Sequence, residues 1–140
     1  MDALYTTEAL STGAGRNGRV AVAGSDLALD MATPKEMGGS GAGANPEQLF
    51  AAGYAACFHS ALQAAARERK VAIDGSTVGA RVSLGSNGEG GFQLAVQLEV
   101  VIPELDPATT RELADAAHRM CPYSNATRGN IEVLVTAGDD

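Results

Sequence analysis

Alternating apolar and polar positions mark out strands toward both ends of the chain, and helical spacing fills two segments between them. In residues 18–23, Val20 and Val22 alternate with Arg19 and Ala21. In residues 27–31, Leu27, Leu29 and Met31 share one face. These segments predict two strands joined by the turn Gly24-Ser25-Asp26, with residues 4–9 as an additional edge strand. Residues 77–84 place Val78, Ala80, Val82 and Leu84 on one face. Residues 92–102 do the same with Phe92, Leu94, Val96, Leu98, Val100 and Ile102. The stretch 85–91 between them, with Asn87-Gly88 at its centre, predicts a hairpin loop. Residues 131–136 predict a final strand.

The first helix has a clear start. Asn45 suits the N-cap, Pro46 the first helical position, and Gln48 completes a capping box. The pattern carries the helix over residues 46–70, with apolar or small side chains on nearly every side, as expected of a buried central helix. Arg67, Arg69 and Lys70 favour its C-terminus. A second helix is capped by Asp106, has Pro107 at its first position and runs to Met120 or Cys121, where Pro122 stops it. Leu113, Ala114, Ala117, Met120 and Cys121 form its expected apolar stripe. Strands punctuated by two helices predict an α+β fold, a mainly antiparallel sheet with the helices on one face. No internal repeat or long linker divides the chain, so one domain is expected over residues 1–140.

Composition narrows the function classes. Apolar residues are 45% of the chain but aromatics only 4%, so a core of Ala, Val, Leu and Ile is expected. A net charge of −7 without a Lys/Arg cluster argues against nucleic-acid binding. The longest apolar stretch, residues 51–62, is broken by Gly53, Tyr54, His59 and Ser60 and is too short to span a membrane. The first residues show no basic and apolar leader pattern, which predicts a cytoplasmic protein and leaves the Asn125-Ala126-Thr127 sequon without meaning.

The glycine-rich residues 32–44 predict a loop that lets backbone pack closely or lines a pocket. They lack the Gly-Lys-Ser/Thr ending of a phosphate loop, and no strand leads into Gly39-x-Gly41-x-x-Ala44. His59 and His118 are not in metal-ligand spacing with each other or with the cysteines, and no metal or cofactor is expected. A Cys/His hydrolase would need the fold to bring His118 to Cys57. Cys57 and Cys121 are the only cysteines; each lies on an apolar helical segment, and burial as inert core thiols is the default reading. Tyr54, Tyr123 and Ser124 are read as packing residues.

A reactive Cys57 would require more. It lies deep inside its helix, away from the N-terminal dipole, so it needs a cation nearby. Each unit by which a thiol pKa falls takes about 1.4 kcal/mol of preference for the thiolate. A cation in an apolar site needs a carboxylate partner in turn, and Glu47 in the first turn is the natural candidate. Glu47 and Cys57 lie ten residues apart, about 15 Å along a straight helix. Three solutions remain open: an Arg that bridges part of the gap, a helix break near Gly53, or a carboxylate from a second subunit.

Two long segments carry a resemblance. Residues 45–58, Asn-Pro-Glu-Gln-Leu-Phe-Ala-Ala-Gly-Tyr-Ala-Ala-Cys-Phe, and residues 121–130, Cys-Pro-Tyr-Ser-Asn-Ala-Thr-Arg-Gly-Asn, resemble the signature segments of the organic hydroperoxide resistance (Ohr) branch of the OsmC-like family. Gly15-Arg16-Asn17-Gly18 and Pro34-Lys-Glu-Met-Gly-Gly39 extend the likeness, while Ala14 and Ala44 stand where many members carry Gly and Thr. The resemblance implies an OsmC-like fold in an intertwined homodimer, with sites at the subunit interface. It implies Cys57 as peroxidatic cysteine, Cys121 as resolving cysteine, Arg16 as thiolate stabiliser and Glu47 as its holder; the Gly-Arg-x-Gly context selects Arg16 over Arg19. The implied activity is reduction of alkyl or fatty-acid hydroperoxides through a Cys57 sulfenic acid and a Cys57–Cys121 disulfide. Dihydrolipoyl groups on a partner protein, not thioredoxin, are the implied reductant. An OsmC-type peroxidase of broader range and a non-enzymatic dimer binding an apolar ligand are the alternatives.

Overall fold

The computed structural model describes residues 1–138. By internal contacts they form two compact units, Met1–Leu49 and the rest.

The first unit holds a three-stranded antiparallel sheet in the order β1 (Ala9–Thr12), β2 (Arg19–Val22) and β3 (Ala28–Asp30). The expected edge strand at residues 4–9 lies elsewhere. Ala9 pairs with Val22, and the chain beyond Val22 turns away, with Val22 N–H donating to the Leu27 carbonyl. Residues N-terminal to Glu8 therefore run out of ladder partners, and the strand occupies Ala9–Thr12 instead. The glycine-rich loop doubles back on itself, with Ala44 N–H bonded to the Asp30 carbonyl and Ala32 N–H to that of Ala44. Gly39 allows this closure, because a Cβ there would lie 2.1 Å from the Thr33 carbonyl oxygen. The reciprocal capping box forms as expected: Gln48 N–H donates to Asn45 Oδ1 at 2.9 Å, and Asn45 N–H to Gln48 Oε1 at 3.1 Å.

The long helix α1 (Pro46–Arg69) begins there and continues without a break through Gly53. Lys70, in the left-handed region at φ 56°, ends it. The second unit adds β4 (Thr77–Ser86), β5 (Phe92–Val101), α2 (Pro107–Met120), the short α3 (Pro122–Thr127) and β6 (Val133–Ala137). β4 and β5 form the expected hairpin, but β4 runs to Ser86 and the connecting loop is only Asn87–Gly91. β6 pairs with β5 in parallel, because the α2–α3 crossover returns the chain in the same direction. The α+β reading with mainly antiparallel pairing holds.

Val96, Leu98, Val100 and Ile102 point into the core, as the alternation predicts. They meet Tyr54, Phe58, Leu62 and Ala65 of α1 and Leu113, Ala114 and Ala117 of α2. Three details differ from the sequence reading. Phe92 is 73% exposed at the hairpin end, and Met120 is also exposed. Aliphatic side chains do not make the core alone, since Tyr54 and Phe58 are its largest fully buried residues. Residues 122–127, to which the sequence pattern assigned no element, form α3, for which Pro122 is the favoured first residue.

The burial contrast along β5 gives a test. Leu98→Ala removes a fully buried side chain and is expected to lower unfolding free energy by about 3 kcal/mol in urea titration. Phe92→Ala on the same nominal face is expected to cost less than about 1 kcal/mol.

Candidate active site

The four residues singled out in the sequence form two side-chain pairs, Arg16 with Glu47 and Cys57 with Cys121. Arg16 sits in the turn between β1 and β2, within a 3-10 segment Gly15–Asn17. Asn17 anchors that turn by accepting the Thr33 N–H at 3.0 Å. Arg16 grips Glu47 of α1 with both terminal nitrogens, Nη1 to Oε2 at 2.9 Å and Nη2 to Oε1 at 2.6 Å. The hydrogen bonds from Arg16 hold the Glu47 carboxyl below its ordinary pKa, against the opposing effect of burial. Since the folded value lies below the unfolded one, this stabilisation is full above the ordinary carboxylate range and is lost as pH falls through the lowered value. Arg19, the alternative cation, is taken by Asp30 across the β2–β3 ladder at 2.6 Å.

Cys57 and Cys121 form the second pair, their sulfurs 3.6 Å apart although 64 positions separate them. Cys57 projects from the middle of α1 and is partly accessible; Cys121 is fully buried. Cys121 is not a member of the α2 stripe. It is the hinge residue, with φ −67° and ψ 124°, that ends α2 and starts α3. Burial pushes the Cys57 thiol up, the Tyr123 backbone N–H pulls it part of the way down, and Cys121 raises it further. Neither histidine touches this pair through its recorded bond: His59 Nε2 meets Ser76 Oγ at 3.0 Å, and His118 Nδ1 meets Ser124 Oγ at 2.8 Å. Those bonds direct His118 to a hydroxyl, and the Cys/His hydrolase reading has no support from them. The uninterrupted helix also removes the break near Gly53 as a way to bring Glu47 to Cys57.

A cleft of about 800 Å³ is walled mainly by Phe50, Phe92, Leu94, Pro122, Tyr123 and Ile131, and neither sulfur lines it. Tyr123 links cleft and sulfur, with its ring on the wall and its N–H toward Cys57. The sequence reading of Tyr123 as packing alone missed this. The signal available was Gly53, since a glycine in a helix interior costs about 1 kcal/mol and usually has a packing reason. A Cβ on Gly53 would meet Tyr123 Oη at 2.7 Å and the ring carbons at 3.2 Å. Tyr54 and Ser124 are both fully buried, so for them the packing reading was sound. Among the described residues, no three His, Cys, Asp or Glu side chains gather as metal ligands.

Comparison with known proteins follows the same lines. The family model described as OsmC-like protein matches residues 38–136. The organic hydroperoxide resistance protein of Xanthomonas axonopodis pv. citri is 50% identical, covering 95% of this chain and 94% of that protein. Organic hydroperoxide resistance protein OhrB of Bacillus subtilis is 42% identical, covering 94% and 96%. The crystal structure of an organic hydroperoxide resistance protein from Elizabethkingia anophelis, with thiocyanate bound, superposes with a TM-score of 0.93 at 45% identity over the whole of both chains. The crystal structure of OhrB from B. subtilis gives 0.86 at 43% identity, covering 96% of this chain and 98% of that one. With the family model spanning most of its length and relatives of this identity, the chain belongs to the OsmC-like family, among the organic hydroperoxide resistance proteins.

Proposed function

We propose that this protein is a thiol-dependent peroxidase that reduces organic hydroperoxides to alcohols, with Cys57 attacking and Cys121 resolving. The observation that carries the reading is the 3.6 Å approach of a partly accessible thiol on α1 and a buried thiol at the junction of α2 and α3. The Cys57 thiolate attacks the distal peroxide oxygen. An S–O bond forms, the O–O bond breaks, two electrons pass from sulfur to peroxide, and the alkoxide leaves as alcohol after taking a proton. Cys121 then displaces water from the sulfenic acid to give the disulfide. A dihydrolipoyl dithiol on a partner protein returns both cysteines to thiols and is itself closed to a disulfide.

Burial raises the Cys57 thiol, so the reading needs a cation. The reading assigns that role to Arg16, which Glu47 holds in one orientation. The protein acts in the cytoplasm as a homodimer in this reading. The apolar cleft suits alkyl and fatty-acid hydroperoxides better than hydrogen peroxide. That same cleft favours one rival, a dimeric module that binds an apolar ligand without chemistry. An OsmC-type enzyme would show a broader peroxide range.

Mass spectrometry after one equivalent of cumene hydroperoxide is expected to show a loss of two hydrogens, absent in Cys121→Ser. No mass change in the wild type would favour the ligand-binding module. Rates with cumene or tert-butyl hydroperoxide far above that with hydrogen peroxide are expected; a ratio near unity points to the OsmC-type enzyme.

Arg16→Ala is expected to move the pH midpoint of Cys57 alkylation upward and to slow peroxide reduction by orders of magnitude. Glu47→Ala is expected to act in the same direction but less, by freeing Arg16. An unchanged midpoint in Arg16→Ala would sink the assigned activation.

Gly53→Ala tests the wall of the cleft. Alanine in a helix interior ordinarily stabilises by about 1 kcal/mol. Here it must displace the Tyr123 ring, so KM for bulky hydroperoxides is expected to change while that for hydrogen peroxide does not.

A further inference from the structure

Next to the sulfur pair, four polar side chains form one continuous hydrogen-bonded chain. Tyr54 Oη lies 2.8 Å from Ser124 Oγ and 3.0 Å from Thr127 Oγ1. Ser124 Oγ lies 2.8 Å from His118 Nδ1, and Thr127 Oγ1 donates to the Ser124 carbonyl at 3.3 Å. Tyr54 and Ser124 are fully buried and Thr127 nearly so. Polar groups placed this deep in an otherwise apolar core are costly unless every one is satisfied.

The donors and acceptors fix the direction of the chain. A carbonyl only accepts, so the Thr127 hydroxyl proton is committed to Ser124 O. Tyr54 must then donate to Thr127, Ser124 to Tyr54, and His118 Nδ1–H to Ser124. Each hydroxyl donates once. Nδ1 carries a proton in this arrangement whether His118 is neutral or charged, so the chain does not depend on the charge of His118.

Its location gives it a role. Tyr54 and Cys57 are three residues apart on α1, and Cys121 and Ser124 are three apart at the start of α3. The Tyr54–Ser124 bond therefore joins the same two segments as the sulfur contact, one step along each. His118 extends the tie to the last turn of α2, just ahead of the hinge at Cys121.

We propose that Tyr54, Ser124, Thr127 and His118 are positioning residues that hold Cys121 on Cys57 and so set the rate of disulfide closure, not of peroxide attack. This inference rests on the peroxidase reading and deepens it. In the step concerned, the S–S bond forms as the S–O bond of the Cys57 sulfenic acid breaks, and the Cys121 thiol proton leaves with the hydroxyl as water. The sulfurs, 3.6 Å apart as thiols, must reach about 2 Å. While they have not, a second hydroperoxide can oxidise the sulfenic acid to the irreversible sulfinic acid. A tightly held Cys121 shortens that interval.

Rapid-quench mass spectrometry with Tyr54→Phe and Ser124→Ala tests the proposal, each variant removing one hydroxyl and keeping the packing volume nearly constant. Loss of Cys57 thiol on adding cumene hydroperoxide is expected at a rate within about twofold of wild type, while disulfide appears about tenfold more slowly, the scale of one buried hydrogen bond. The Cys57 sulfinic fraction under excess hydroperoxide is expected to rise, and Ser124→Thr, which keeps the hydroxyl, is expected to restore closure. Closure at the wild-type rate in both variants would overturn the proposal, as would an equal slowing of both phases. Diamide closes the same pair through a Cys57 adduct without peroxide chemistry. Slowed closure with diamide supports the positioning role even if hydroperoxides prove to be poor substrates, an outcome that would instead remove the peroxidase reading.

Discussion

Taking a thiol out of water makes its ionisation harder, and the surroundings of Cys57 do this on balance: burial and the neighbouring Cys121 raise it, and one backbone N–H opposes them. In the proposed reading, a nucleophile that works in apolar surroundings has to tolerate being a poorly solvated thiolate. The required positive charge must be organised beforehand, because a mobile lysine or arginine would spend its time in solvent. In the proposed reading the Arg16–Glu47 pair meets that requirement. Two parallel bonds fix the plane of the guanidinium and use two of its five N–H groups. Glu47 takes part of the field that Arg16 could exert, and what it returns is direction.

Cys121 faces the opposite demand. As the resolving thiol of the proposed cycle, it must stay unreactive until Cys57 has been oxidised, then act at once. Full burial keeps it away from other oxidants. Placement at the junction of two helices gives it a backbone that both helices restrain, and Pro122 leaves that backbone few alternatives. The hydroxyl chain from His118 to Thr127 adds restraint through side chains, in the part of the core where aliphatic packing alone would let α3 slide. Tyr54 serves both purposes. Its ring packs in the core with Phe58 and Leu62, and its hydroxyl satisfies Ser124 and Thr127.

Local signals made much of this legible from sequence. The capping box at Asn45, the stop at Pro122 and the alternation in β5 each depend on a few neighbouring residues, and each appears as expected apart from the end at Phe92. The strand predicted at residues 4–9 failed because pairing is decided by the partner's length, which a single segment does not encode. Spacing alone left both cysteines as core thiols. The likeness of residues 45–58 and 121–130 to known motifs was needed to pair them, and their 3.6 Å separation agrees with that pairing. The hydroxyl chain was illegible, because its members lie as much as 73 positions apart and nothing in the two motifs that hold Tyr54, Ser124 and Thr127 marks their hydroxyls as partners.

Gly53 joins these threads. A helix of 24 residues would gain from alanine at every interior position, yet it gives up helix propensity one turn before Cys57. The missing methyl lets the Tyr123 ring lie flat on the helix, packed also against Phe50 and Tyr54 with ring centroids about 6 Å apart. That ring closes the cleft wall and brings the start of α3, with its N–H, down onto the sulfur. Helix stability has been traded for proximity between α1 and α3. The same proximity bears on the Cys57–Cys121 distance, so the glycine, the aromatic wall and Cys121 answer to a single geometric requirement.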